Sequence, residues 1–171
     1  MNRNKRIYIK YFSALAVVLF ALVLATTPAT ADEYPALEGL HGINAVFDVS
    51  LGTPAMANIV FAAVKGVYTD ECTRALKEPT KIAVVFHGPA VNLISTNREG
   101  FKGDDLKALD EFAATIREMK SNGVTLEVCD YALKVMGVDP ASILPEVDHV
   151  GNGFISIVGY QAKGYSLVSI K

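Results

Sequence analysis

Residues 81–87 read KIAVVFH, and the five apolar residues from Ile82 to Phe86 stand in an unbroken row. A strand with one wet face alternates between apolar and polar residues. A row without polar interruption implies burial on both faces, and so a central strand of a parallel sheet with helices on either side. His87-Gly88-Pro89 closes it.

On the N-terminal side, NAVFDVS at 44–50 has the β-branched and aromatic content of a second strand. Gly52-Thr53-Pro54 ends it and sets proline in the first turn of a helix. That helix is predicted to run to about Thr73, with Met56, Ile59, Val60, Ala63, Val64 and Val67 as its buried face, because they recur at three- and four-residue spacing. On the C-terminal side, a short helix is expected around Val91 to Ile94. A helix of about 18 residues follows from Asp104, with Leu106, Leu109, Phe112, Ile116 and Met119 inward and Asn122-Gly123 as its stop.

VTLEVC at 124–129 is the third strand, followed without a spacer by a short helix from Asp130 to Met136, stopped by Gly137. A helical turn is expected at Pro140 to Leu144, a fourth short strand at Glu146 to Val150, and a flexible turn at Gly151-Asn152-Gly153. Phe154 to Lys163 is a strand by propensity, yet a helix would bring Ile157 and Gln161 to adjacent turns. Gly164 ends that segment, and Tyr165 to Ile170 alternates like a final or edge strand. Strands separated by helices give the expected fold class: one three-layer α/β domain, a mostly parallel sheet of about five strands with helices on both faces.

The first 31 residues read as an export signal. Arg3, Lys5, Arg6 and Lys10 precede an apolar run from Phe12 to Ala25, and Ala29-Thr30-Ala31 offers a small-x-small cleavage sequence. The run is shorter than the about 20 apolar residues of a membrane-spanning helix, so cleavage between Ala31 and Asp32 is expected rather than an uncleaved anchor. Residues 32–43, with Pro35 and two glycines, are expected to be a poorly ordered mature N-terminus and residues 44–171 the domain. Losing four positive charges moves the formal net charge from −2 to −6, which makes nucleic acid an unsuitable partner. No later run approaches spanning length, so no membrane association is expected after cleavage. A periplasmic or secreted protein results.

No CxxC, HExxH, GxSxG or P-loop pattern occurs, and no cofactor is implied. In open α/β sheets ligands bind beyond the carboxyl ends of the strands, which yields the candidates Asp48 and Ser50, His87 and Gly88, Cys129 and Asp130, then His149, Gly151 and Asn152. Cys129 ends a strand and opens a helix, where backbone N–H groups favour a thiolate, although Asp130 opposes this. The plainer reading is a packed, inert cysteine. His87 could orient or deprotonate a ligand or simply hydrogen-bond within the turn, and Asp48 reads as a solvated strand-end carboxylate. His87, Cys129 and His149 could in principle hold a metal, but no ligand spacing supports that and no metal is assigned. Cys72, near the end of the first helix, falls at the opposite end of the sheet from Cys129. The two are about a strand's length, 17 Å, apart. A disulfide needs Cα atoms within about 7 Å, so no intramolecular bond is expected.

The order Val84-Val85-Phe86-His87-Gly88-Pro89-Ala90, then Gly123-Val124-Thr125-Leu126-Glu127-Val128-Cys129, then Gly153 with Tyr160-Gln161 and Gly164-Tyr165, resembles the DsrE/DsrF-like family over most of residues 44–170. The resemblance implies a five-stranded parallel sheet with flanking helices, and a helix at Phe154 to Lys163. It also implies sulfur relay, with a cysteine after the Gly-Val strand carrying sulfane sulfur as a persulfide, and assembly into trimers or hexamers. The matching residue is Cys129. The relays act in the cytoplasm, whereas this chain begins with an export signal. The expected function is therefore an exported sulfur-binding or sulfur-transfer protein working with a donor or acceptor protein, with Cys129 as carrier, His87 as acid/base or orienting group, and the turn around Asn152 shaping the pocket. The competing expectation is a non-catalytic module that binds a small ligand or protein and merely packs Cys129.

Overall fold

A computed structural model describes residues 34–171, and residues 37–171 form one compact unit. The expected export signal, with its cleavage point between Ala31 and Asp32, lies outside the described residues. The sheet is built from β1 (Asn44–Val49), β2 (Lys81–Phe86), β3 (Thr125–Cys129), β4 (Asp148–Val150) and β5 (Ser166–Ile170). The helices are α1 (Pro54–Thr69), α2 (Glu71–Arg74), α3 (Asp104–Ser121), α4 (Asp130–Met136) and α5 (Gly153–Ala162). The strands lie in the order β4-β3-β2-β1-β5, and every pair is parallel.

That order decides which face each helix covers. From β1 to β4 the chain steps across the sheet in one direction, and right-handed crossovers then place the connecting helices on one face. From β4 it returns past β1 to β5, and the reversed step sends α5 to the other face. On the first face Phe61 of α1, Phe112 and Ile116 of α3 and Leu133 of α4 pack over Phe47, Phe86 and Leu126. On the second, Ile157 of α5 covers Val46, Ala83 and Val85, with Tyr160 and Tyr165 beside them.

Several elements differ from expectation. The first helix stops at Thr69, because Asp70 turns extended and its carboxylate caps the Cys72 N–H of α2. The buried side of α1 is Ala57, Phe61 and Val64, whereas Met56, Ile59 and Ala63 face outward. This helix is apolar on most of its circumference, so period alone does not choose the inner stripe. Likewise Leu106 of α3 is exposed while Leu109, Phe112, Ile116 and Met119 are buried. The expected short helix around 91–94 is a 3-10 helix at Gly88–Asn92, and that at 140–144 a 3-10 helix at Pro140–Ser142. Phe154 to Ala162 is helical, against its strand propensity, and Lys163 caps the helix end. The expected flexible turn before it is a capped helix start, with Asn152 accepting from the Phe154 N–H and Gly153 already inside α5. Ahead of β1, the carbonyls of His41 and Ile43 accept from the N–H groups of Glu78 and Lys81. No helix among the described residues is long and apolar enough to cross a membrane.

Candidate functional site

All strands point the same way, so their carboxyl ends form one edge, and the candidates read from strand ends meet there. Val128 faces the first layer and ends the apolar part of β3. The next residue, Cys129, caps α4: its Sγ accepts from the Ala132 N–H at 3.4 Å. Only 4% of Cys129 is exposed. Gly153 closes one side of it, since a Cβ at that glycine would stand 2.9 Å from Val85 Cγ1 and 3.1 Å from Cys129 Cβ. Glycine is what lets the start of α5 approach the thiol.

Cys129 borders a cavity of about 160 Å³ whose walls are mainly Tyr131, Val135 and Met136 of α4 and Phe154 of α5. His87, Gly88, Ala132 and Asn152 complete the lining. Gly88 holds φ +51, a left-handed turn that a Cβ would strain, and this turn brings His87 to the rim. Phe154, 61% exposed, packs against the His87 ring with centroids 5.3 Å apart.

Asp48 corrects the expectation of a solvated carboxylate. It is 8% exposed and stands behind His87 rather than in the cavity. Its Oδ1 pairs with His87 Nε2, while Oδ2 accepts from Lys171 Nζ at 3.2 Å and Ser169 Oγ at 3.4 Å. A carboxylate this buried needs such partners. Neither Lys171 nor Ser169 could be found from motif or spacing, because they meet Asp48 only through the β1–β5 pairing. The aromatic wall was more accessible: Tyr131 and Val135 are one helical turn apart on α4.

His149 does not join the cavity. Its Nδ1 pairs with Asp130 Oδ1 at 2.6 Å on the outer rim, and the Gly151 carbonyl accepts from the Tyr131 N–H, tying the end of β4 to α4. Among the described residues no group of three or more His, Cys, Asp or Glu side chains is arranged to hold a metal ion. Cys72 lies at the opposite end of the sheet and is not bonded to Cys129. A larger cavity of about 240 Å³ opens at that end beside Arg74 and Asn122, but the hydroxyls of Tyr68 and Thr80 that border it are shielded from solvent. Among the described residues a thiol, an imidazole and a buried carboxylate converge at the carboxyl edge, where they line or back one apolar cavity. Such a set can exchange a proton with sulfur and admit a small, weakly polar group.

Comparison with known proteins agrees with the fold. The DsrE/DsrF-like family matches residues 44–170. A solved protein of unknown function from Methanobacterium thermoautotrophicum, MTH1491, superposes with a TM-score of 0.58 at 21% identity, over 74% of this chain and 98% of that one. The ychN protein of E. coli gives a TM-score of 0.45 at 11% identity, over 77% of this chain and 100% of its own. No curated protein matches in sequence.

Proposed function

The chain belongs to the DsrE/DsrF-like family, and from that premise we propose that it binds or transfers sulfane sulfur, carried as a persulfide on Cys129. What carries this reading is one observation: Cys129, which the sequence resemblance matches to the family's sulfur carrier, borders an apolar cavity shared with His87. An apolar wall suits a sulfane chain, which is poorly hydrated and makes weak hydrogen bonds. The test is to treat the native protein with an alkyl persulfide and map the adduct by mass spectrometry. One added sulfur on the Cys129 peptide, absent from Cys129→Ser, is the expected result.

A second reading has its own observation. Cys129 is almost wholly buried and spends its sulfur capping α4, as a structural cysteine would. If Cys129 resists alkylation until the protein is denatured, the chain is a binding module of the same fold.

Two further parts of the proposal concern setting. Residues 1–31 are a signal peptide, cleaved to leave a periplasmic or secreted protein starting at Asp32; N-terminal sequencing of the exported chain checks this. The protein self-associates into a trimer or hexamer, a reading supported by the exposed apolar side chains of Ile155 and Val158 on α5 and Leu167 and Val168 on the edge strand β5. Light scattering at micromolar concentration decides it.

A further inference from the structure

We propose that Asp48 and Lys171 are positioning residues that hold His87 as the proton acceptor for Cys129. Asp48 sits on β1 between β2, which ends beside His87, and β5, which carries Ser169 and leads into Lys171. Its carboxylate joins three strands, and the two oxygens have separate duties. Oδ2 is held by Lys171 and Ser169, and Oδ1 is thereby aimed at His87 Nε2.

A carboxylate can only accept, so the neutral ring presents Nε2–H to it and keeps its lone pair on Nδ1. No other hydrogen bond is made by this ring among the described residues. A ring flip would break the Asp48 pairing, and Phe154 packs against the ring. Nδ1 is therefore the ring nitrogen free to accept a proton, and His87 lines the same cavity as Cys129.

The step itself rests on the sulfur-carrier reading. The Cys129 thiol gives its proton to His87 Nδ1, and Asp48 stabilises the imidazolium. The thiolate then attacks the outer sulfur of an alkyl persulfide R–S–SH, so that a new S–S bond forms on Cys129 as the donor's S–S bond breaks. The departing R–S⁻ takes the proton from Nδ1. The products are Cys129–S–SH and R–SH, with no external oxidant or reductant.

The experiment combines two readouts on the full folded chain. Ring ¹⁵N spectra at a pH where the imidazole is neutral identify the His87 tautomer, and peptide mapping after iodoacetamide treatment follows Cys129 separately from Cys72. The native protein should show Nε2–H. In Asp48→Asn the carboxamide can donate to Nε2 and drive the proton to Nδ1, and Cys129 alkylation should slow by about tenfold or more. Lys171→Met, on an exposed side chain that leaves the core untouched, should slow it about two- to threefold, and Lys171→Arg should restore the native rate. If Asp48→Asn keeps Nε2–H and the native alkylation rate, the positioning role is wrong, whether or not Cys129 loads sulfur. If the variants behave as expected but alkyl persulfide leaves Cys129 unmodified, the positioning role stands and the sulfur-carrier reading falls.

Discussion

The two faces of this sheet are built on different plans. The first is filled by three helices and an aromatic cluster, in which Phe61 stacks on Phe86 at 5.8 Å and meets Phe112 edge-on at 4.8 Å. Among the described residues the second is covered by α5 alone, and the strand register runs a mostly polar row beneath it: Ser169, Asp48, Val85, Glu127, Asp148. Each acidic residue in that row finds its own partner. Asp48 takes His87 and Lys171, Glu127 accepts from Tyr160 Oη at 2.7 Å, and Asp148 from Lys120 Nζ at 2.8 Å. Stability is concentrated where side chains carry no polar demand, and chemistry where a thin layer leaves charged groups near an edge.

Truncation on either face offers the strongest way to break this contrast. Phe112→Ala should cost about 3–5 kcal/mol in urea unfolding, because it removes a fully buried ring from the cluster. Ile157→Ala on the thin face should cost about 2 kcal/mol, since its cluster is small and its cavity opens toward solvent. Equal losses would show the faces to be energetically alike.

Gly153→Ala probes the point where the second face touches the thiol. The new methyl meets Val85 and Cys129, so a loss of about 1–3 kcal/mol is expected together with an altered Cys129 alkylation rate. A neutral effect on both would mean that α5 rides loosely on the sheet.

Smaller still is the effect of Ile155→Glu with Val158→Glu. Both side chains are exposed, so each should leave the stability of the folded chain within about 0.5 kcal/mol while lowering the mass seen by light scattering. An unchanged mass would move the association surface elsewhere.

The smallest effect is confined to alkaline pH. Burial, reinforced by the Glu127 carboxylate, pushes the Tyr160 phenol well above its ordinary range. The protonated phenol is then favoured by the folded state, so its contribution is intact below about pH 10, where unfolded tyrosine ionises, and is lost as pH rises further. Tyr160→Phe should flatten the decline in melting temperature above that pH. An identical decline in the variant would assign it to other groups, Tyr68 included, whose phenol is also raised by burial.

Much of the architecture was legible along the chain. KIAVVFH declared a strand wet on neither side, α3 declared its inner stripe from Leu109 to Met119, and Asn122-Gly123 its end. The rule of strand ends named His87, Gly88, Cys129 and Asn152, and the fold places all four around one cavity. These features are local: they depend on period, turn chemistry and chain direction, all of which are written within a dozen residues.

Other features depended on what each segment meets. The apolar α1 offered several equivalent stripes, and only contact with β1, β2 and α3 selected Ala57, Phe61 and Val64. Phe154 to Lys163 preferred a strand by composition, and the cap at Asn152 with the docking of Ile157 on Val46 and Val85 made it a helix. Asp48 looked like a surface carboxylate until β5, more than a hundred residues later, was laid beside β1. The sequence by itself therefore determined most of the elements, their parallel order of succession and the edge on which the thiol lies. The tertiary structure alone decided which faces are buried and which charges meet, because burial and ion pairing are set by distances between segments that no local pattern encodes.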